Sequence, residues 1–250
     1  MRAQALGDRV HAEEISRAWS ERPGAEPDSV VLASAVRAYY GLWLQDPGVD
    51  AAAWCERALA LASRLGAPTL LSYVLLLKSQ LVGDEDPREA IELTERAVSV
   101  VEPLPATGWI AIAPLAYRMA AHVLTSEHHI AVAATIEVLQ RSRSQRFRQG
   151  ARFGLWAAAI CLAHSGRLDE GLALARRCGA HVGRSSLGLN RELDRLYGED
   201  WHGPLDGQMS EHSTELLDAV DAALDALTDL LNEKLVAVDE QRRWPRTSRP

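Results

Sequence analysis

Small residues recur through the middle of this chain at a nearly constant spacing, and that recurrence limits what the chain can fold into. Ala51, Ala90, Ala131 and Gly171 follow one another at intervals of 39, 41 and 40 residues. Seven residues after each come Ala58, Ala97, Val138 and Cys178. Two small residues seven apart share one face of an α-helix and let a neighbouring helix approach closely. A period near 40 residues accommodates a pair of helices, and a lone pair cannot bury its apolar face. Such units must stack on one another. The hydrophobic share of 47% against an aromatic share of only 6% fits this, because close helix stacking needs small side chains.

The rest of the chain is punctuated in keeping with a helical array. Pro and Gly fall at Pro23, Gly24, Pro47, Gly48, Gly66, Pro68, Gly83, Pro103, Pro105, Gly150, Gly166, Gly179 and Gly183. Between them lie segments of helical periodicity, and alternating period-2 patterns are hard to find. Helices are expected at about 5–21, 28–45, 50–65, 68–82, 87–102, 107–125, 128–145, 150–165, 168–180, 187–197 and 213–238. Asp86-Pro87-Arg88-Glu89 reads as a capping box with proline at the first helical position, and Asp28 and Asp50 read as N-caps. The fold class expected is all-α.

Two segments carry a resemblance. HSGRLDEGLALARR and GDEDPREAIELTERAVSVVEP resemble the turn and second helix of a tetratricopeptide (TPR) repeat. Longer repeats of this kind resemble the sensor arms of large bacterial regulators. Those include the maltose-regulon activator class of LuxR-type proteins and actinobacterial regulators that join an ATPase to a repeat arm. The resemblance covers about residues 28–182. It implies a right-handed α-solenoid of about four helix pairs, with a C-terminal capping helix. The expected organisation is an N-terminal helix and linker at 1–27 and repeats at 28–182. A connecting loop and amphipathic helix at 183–240 and a tail at 241–250 follow.

The resemblance also implies a groove lined by the first helix of each pair. Tyr39, Tyr40, Trp43, Tyr73, Trp109, Tyr117 and Trp156 fall on those helices, with Arg37, Lys78, Arg118, His122 and Arg152 as polar contacts. Inter-repeat core is the competing role for the aromatics. The expected function is a non-enzymatic protein–protein interaction module, a regulatory arm in bacterial transcription control or signalling. The alternative is a sensor whose small effector sits in the concave groove, with Tyr73, Trp109 and Trp156 enclosing it.

Several chemistries find no support. There is no G-x-x-x-x-G-K-[ST] phosphate loop, no helix-turn-helix and no G-x-S-x-G nucleophile motif. The chain would therefore correspond to the repeat arm alone or to a free-standing relative. No catalytic residue and no cofactor is expected. Cys161-x2-His164 and Cys178-x2-His181 have a zinc-like spacing. A turn near Gly166 offsets the second pair by about 9 Å along the partner helix, so core packing is expected and not a metal. His128 and His129 read as exposed. No apolar run is long enough for a membrane span. The N-terminus has no signal-peptide core, and three sparse cysteines suit a reducing compartment, so a cytoplasmic location is expected.

Charge is distributed unevenly around a net −7, and direct nucleic-acid binding is not expected. Arg141, Arg143, Arg146, Arg148 and Arg152 cluster within twelve residues. They form either an anion site or a solvated basic turn that favours a helix C-terminus. Opposite in sign, Asp218, Asp221, Asp225 and Asp229 share one arc of the last helix. Leu216, Leu217, Val220, Leu224, Leu227, Leu230 and Leu231 occupy its other side. That helix is expected to cover the end of the array, with homodimerisation as the other use of its apolar face.

Overall fold

The computed structural model describes residues 22–44, 49–83, 85–105, 108–125, 128–178, 188–198, 201 and 215–243, with Glu14 and Ala18 besides. Among them all regular structure is helical: ten helices and no strand. In chain order these are α1 (Pro27–Leu44), α2 (Ala51–Leu65), α3 (Pro68–Val82), α4 (Pro87–Val101) and α5 (Trp109–Thr125). Then come α6 (His128–Ser144), α7 (Arg148–His164), α8 (Leu168–Cys178), α9 (Leu189–Tyr197) and α10 (Glu215–Arg243). The expected helix at 5–21 and most of the tail at 241–250 lie outside the described residues.

Local chemistry sets the helix ends. Asp50 accepts from Ala53 N at 2.9 Å and opens α2, which closes on Gly66 at φ 63°. Asp86 accepts from Arg88 N and Glu89 N, each at 3.0 Å, and opens α4 ahead of Pro87. The reciprocal half of that capping box does not form. The Asp86 N–H already donates to Val82 O at 2.7 Å, and Glu89 turns towards Lys78 instead. Asp28 is not a cap either, because α1 starts at Pro27 and places Asp28 in its first turn.

The turns after α6 and α7 are closed alike. Phe147 N donates to Ser142 O and Arg146 N to Arg143 O; Arg167 N donates to Leu162 O and Gly166 N to Ala163 O. Each is a Schellman closure with a left-handed residue at its corner. Gly166 takes that corner at φ 89°, whereas Arg146 takes it at φ 52°.

The chain forms two compact units, residues 1–121 and 122–250. In the first unit α1 packs on α2, α2 on α3 and α3 on α4, with α1 also touching α3. One core cluster joins Val31, Ala35 and Ala38 to Cys55, Ala58, Ala62, Val74 and Leu77. A second joins Leu75 and Leu76 to Leu93, Ala97 and Ala113. The periodic small residues do what their spacing predicts. Ala58 and Ala97 are wholly buried, and Ser72 Oγ reaches Ala97 O at 3.1 Å across the α3–α4 contact.

In the second unit α7 is the centre, packed by α6, α8, α9 and α10. Nearly all of its residues from Phe153 to Ala163 are buried. Two glycines allow the approach. A Cβ on Gly154 would meet Leu139 Cδ2 at 2.6 Å, and one on Gly171 would meet Ala159 O at 2.6 Å and the Tyr197 hydroxyl. The α10 residues Leu216, Ala219, Val220, Ala223, Leu227 and Leu230 are buried, and α10 packs on α6, α7 and α8. Most of the apolar stripe of the last helix is thus spent inside its own unit, while Leu224 and Leu231 are half-buried and Leu217 is exposed. No described helix is long and apolar enough to cross a membrane.

Candidate functional site

Three of the expected groove residues line successive core clusters of the first unit, Tyr39 and Tyr73 on one and Tyr117 on the next. Tyr39 on α1, Tyr73 on α3 and Tyr117 on α5 stand on alternate helices, and each is half-buried. Their phenols lie close enough to influence one another. Burial pushes the Tyr117 hydroxyl well above the usual phenol range, and Tyr73 and Tyr39 add to the effect. The carboxamide of Gln80 opposes it, so that amide faces the Tyr117 hydroxyl. Gln80 lies seven residues after Tyr73 and so shares its face of α3. Both of its polar atoms, Nε2 and Oε1, are hidden from solvent, and the Tyr117 hydroxyl is the partner they face.

Beside this cluster the charged groups are occupied. Lys78 lies about 200° around α3 from Gln80 by helical geometry. Its Nζ is 2.8 Å from Glu56 Oε1 and 3.6 Å from Glu89 Oε1, which ties α2, α3 and α4 together. The hydrogen bond to Glu56 raises the Lys78 pKa against the opposing effect of burial. Arg37 stacks 3.8 Å above the Trp54 ring, and Arg57 lies 5.0 Å from the same ring. Trp109 (36% exposed) and Ile110 (40%) open α5 partly exposed, and Arg118 is half-buried further along. The side chains of Tyr40 and Trp43 lie outside the described residues.

In the second unit Trp156 is 1% exposed. Its ring packs against Phe153 at 5.8 Å and edge-on against Trp201 at 6.5 Å. Trp201 is itself fully buried and donates from Nε1 to Asp194 Oδ1 at 2.7 Å. Trp156 therefore serves the core in this structure. His122 is buried as well. Trp201 belongs to a segment that reads as a polar loop, and nothing local marks it for burial.

The arginine cluster divides. Arg141, Arg146 and Arg148 are exposed and Arg152 is half-buried. Arg143 Nη2 is 2.9 Å from Asp221 Oδ2, so it meets the acidic arc of α10. Arg167 also meets α10, donating to Ala226 O at 3.2 Å.

Two further groups bear on chemistry. Ser165 Oγ lies 3.1 Å from His128 Nε2, a serine–histidine pairing that the sequence does not suggest. The serine proton is committed to Cys161 O at 2.6 Å, so the histidine donates to the hydroxyl and activates nothing. His128 is thereby half-buried at the start of α6, not exposed, while His129 is exposed. Burial pushes the thiols of Cys55 and Cys178 up to about 12. Among the described residues no three His, Cys, Asp or Glu side chains gather as a metal site, and His181 lies outside them. No protein-family model, curated protein or solved structure matches the chain.

Proposed function

We propose that this chain is a non-enzymatic binding arm, a right-handed tetratricopeptide-like solenoid in which α10 acts as the cap. It binds a protein partner along the face of its first helices and passes that state on within a bacterial regulatory system in the cytoplasm. The observation that carries this reading is the placing of Tyr39, Tyr73 and Tyr117 on the alternate helices α1, α3 and α5, half-buried along successive core clusters. Side chains from alternate helices make one aromatic, hydroxyl-bearing patch only when the helices stack in sequence. Tyrosine suits such a patch because it offers a rigid ring and a polar tip at low entropic cost. Exposed Trp109 and Ile110 add apolar surface on α5. The burial of the α10 stripe against α6, α7 and α8 favours covering over dimerisation.

The test is recovery of partners by the immobilised chain and by a Tyr73→Ala, Trp109→Ala variant from extracts of its host. A stoichiometric partner held by the first and lost by the second supports the reading. Equal recovery by both rejects it.

A further inference from the structure

The geometry points to a binding site at one end of the second unit for a compact oxyanion of more than one charge, a phosphate or diphosphate group. Arg148 and Arg152 of α7 would hold it, with Arg177 of α8 at its border. The site is separate from the tyrosine-bearing face of the first unit and does not depend on it.

Two close approaches fix which residues share that end. Gly154 lies against Leu139, which sets the register of α7 on α6. The two helices are antiparallel across the turn at Arg146, so Arg152 is level with Arg141. Gly171 lies against the Ala159 carbonyl, which sets α8 on α7. The same count brings Arg152 level with Cys178, next to Arg177. Arg152 is seven residues before Ala159, and Cys178 is seven after Gly171, so both face the seam between α7 and α8. The charges of Arg177 and Arg152 accordingly both act on the Cys178 thiol. Arg148 lies four residues before Arg152 and shares its face, one turn nearer the end of α7.

These guanidiniums lack counter-charges. Among the described residues none of Arg148, Arg152 and Arg177 has a carboxylate partner. The sequence holds no Asp or Glu from Val138 to Leu168 or from Gly171 to Arg191. The Nε of Arg152 is shut off from solvent without an acceptor, and a covered charged donor calls for one. Arg141 and Arg177 have a local reason for their places, because each sits near a helix C-terminus that attracts cations. Arg148 and Arg152 have none. They occupy the first two turns of α7, the positive end of its dipole, where Phe147 gives no side-chain cap and no acidic residue stands. An anion between them would relieve that repulsion and meet the open backbone N–H groups of the first turn.

The chemistry narrows the anion. Guanidinium forks grip an oxyanion bidentately, and two of them beside a helix N-terminus suit more than one negative charge. Arg148 and Arg177 are exposed and Arg152 is half-buried, so the site opens to solvent. A long polyanion is disfavoured. The chain carries a net −7, and α10, with Asp218, Asp225 and Asp229 exposed, packs on the same helices.

The test titrates pyrophosphate into the whole chain by calorimetry, with an oligoglutamate peptide and an oligothymidylate as competing probes. Saturable one-to-one binding of pyrophosphate is expected. Arg148→Met and Arg152→Met should each weaken it about tenfold to a hundredfold, the usual effect of losing a charge-assisted hydrogen bond. Arg152→Lys should recover part of the loss, because it returns the charge without the fork. Arg143→Met should change affinity less than about twofold, because Asp221 already holds that guanidinium. Arg148 is exposed, so its variant decides the matter if Arg152→Met fails to fold. Absence of saturable binding, or an equal loss in Arg143→Met and the two site variants, overturns the inference. Tighter binding of the peptide or the oligonucleotide than of pyrophosphate also overturns it, since this end would then be a surface for a macromolecule.

Discussion

Replacing Gln80 by leucine should destabilise the first unit. The Gln80 carboxamide is covered and hydrogen-bonds the Tyr117 hydroxyl, which is itself held well above the usual phenol range by burial. Leaving one buried polar group unsatisfied costs about 1–3 kcal/mol. Leucine cannot replace that hydrogen bond, while its helix propensity matches that of glutamine, so the loss is not offset along α3. The expected cost is therefore about 1–3 kcal/mol. Urea unfolding followed through the Tyr117 ring resonance in NMR reads the first unit directly. With a slope of about 1.5 kcal/mol per molar, the midpoint should fall by about 1 M at unchanged slope. A midpoint that stays in place or rises would refute the reasoning. It would mean that the amide contributes nothing as the partner of the Tyr117 hydroxyl.

Other substitutions test the packing and the electrostatics. Gly171→Ala should destabilise the second unit by about 1–3 kcal/mol, because the new methyl meets the Ala159 carbonyl at 2.6 Å and backbone cannot yield as a side chain can; a urea midpoint equal to wild type would contradict the close approach of α8 to α7. Arg146→Gly should stabilise by about 1 kcal/mol, since Arg146 holds a left-handed corner at φ 52° that glycine adopts freely, and a thermal melt that moves down would count against it. Arg143→Glu should cost at most about 1 kcal/mol because the Arg143–Asp221 pair is exposed, and adding Asp221→Arg should restore it at low salt; a double-mutant cycle with no coupling at low salt would show that the pair does not hold α10. In alkali, Cys55 and Cys178 bind their protons up to about pH 12 in the folded state against an ordinary value of 9.0. The folded chain then holds more protons than the unfolded one, so stability is full below about pH 9 and falls as pH rises above it, by up to about 1.4 kcal/mol per pH unit for each thiol; equal midpoints at pH 8 and pH 10 would refute this.

The candidate site was only partly legible in the sequence. Helical periodicity places Tyr39, Tyr73 and Tyr117 on alternate helices, and the structure groups them. Gln80 carries no signal of its own, since an exposed glutamine on a helix looks the same. Its pairing with the Tyr117 hydroxyl depends on the side chains that another helix brings to it. Trp156 shows the reverse case: an aromatic on a first helix that the core consumes through Trp201, forty-five residues away in the sequence. The Arg143–Asp221 pair spans a still larger separation.

By itself the sequence determined the helices, several of their ends and the faces along which they pack. These depend on interactions within about four residues: 3.6-residue periodicity, an aspartate cap ahead of Pro87, a glycine at a left-handed corner. Ala58, Ala97, Val138 and Cys178 are buried as their spacing implies, because a small residue at a helix contact is a local requirement. The tertiary structure alone decided which polar groups find partners. Val82 O takes the Asp86 N–H that the capping box needed, Ser165 ties up His128, Asp221 meets Arg143, and the Gln80 amide faces the Tyr117 hydroxyl. Those outcomes turn on how each helix is rotated and offset against its neighbours. A shift of one residue turns a helix face by about 100°, which is enough to make or break every such contact.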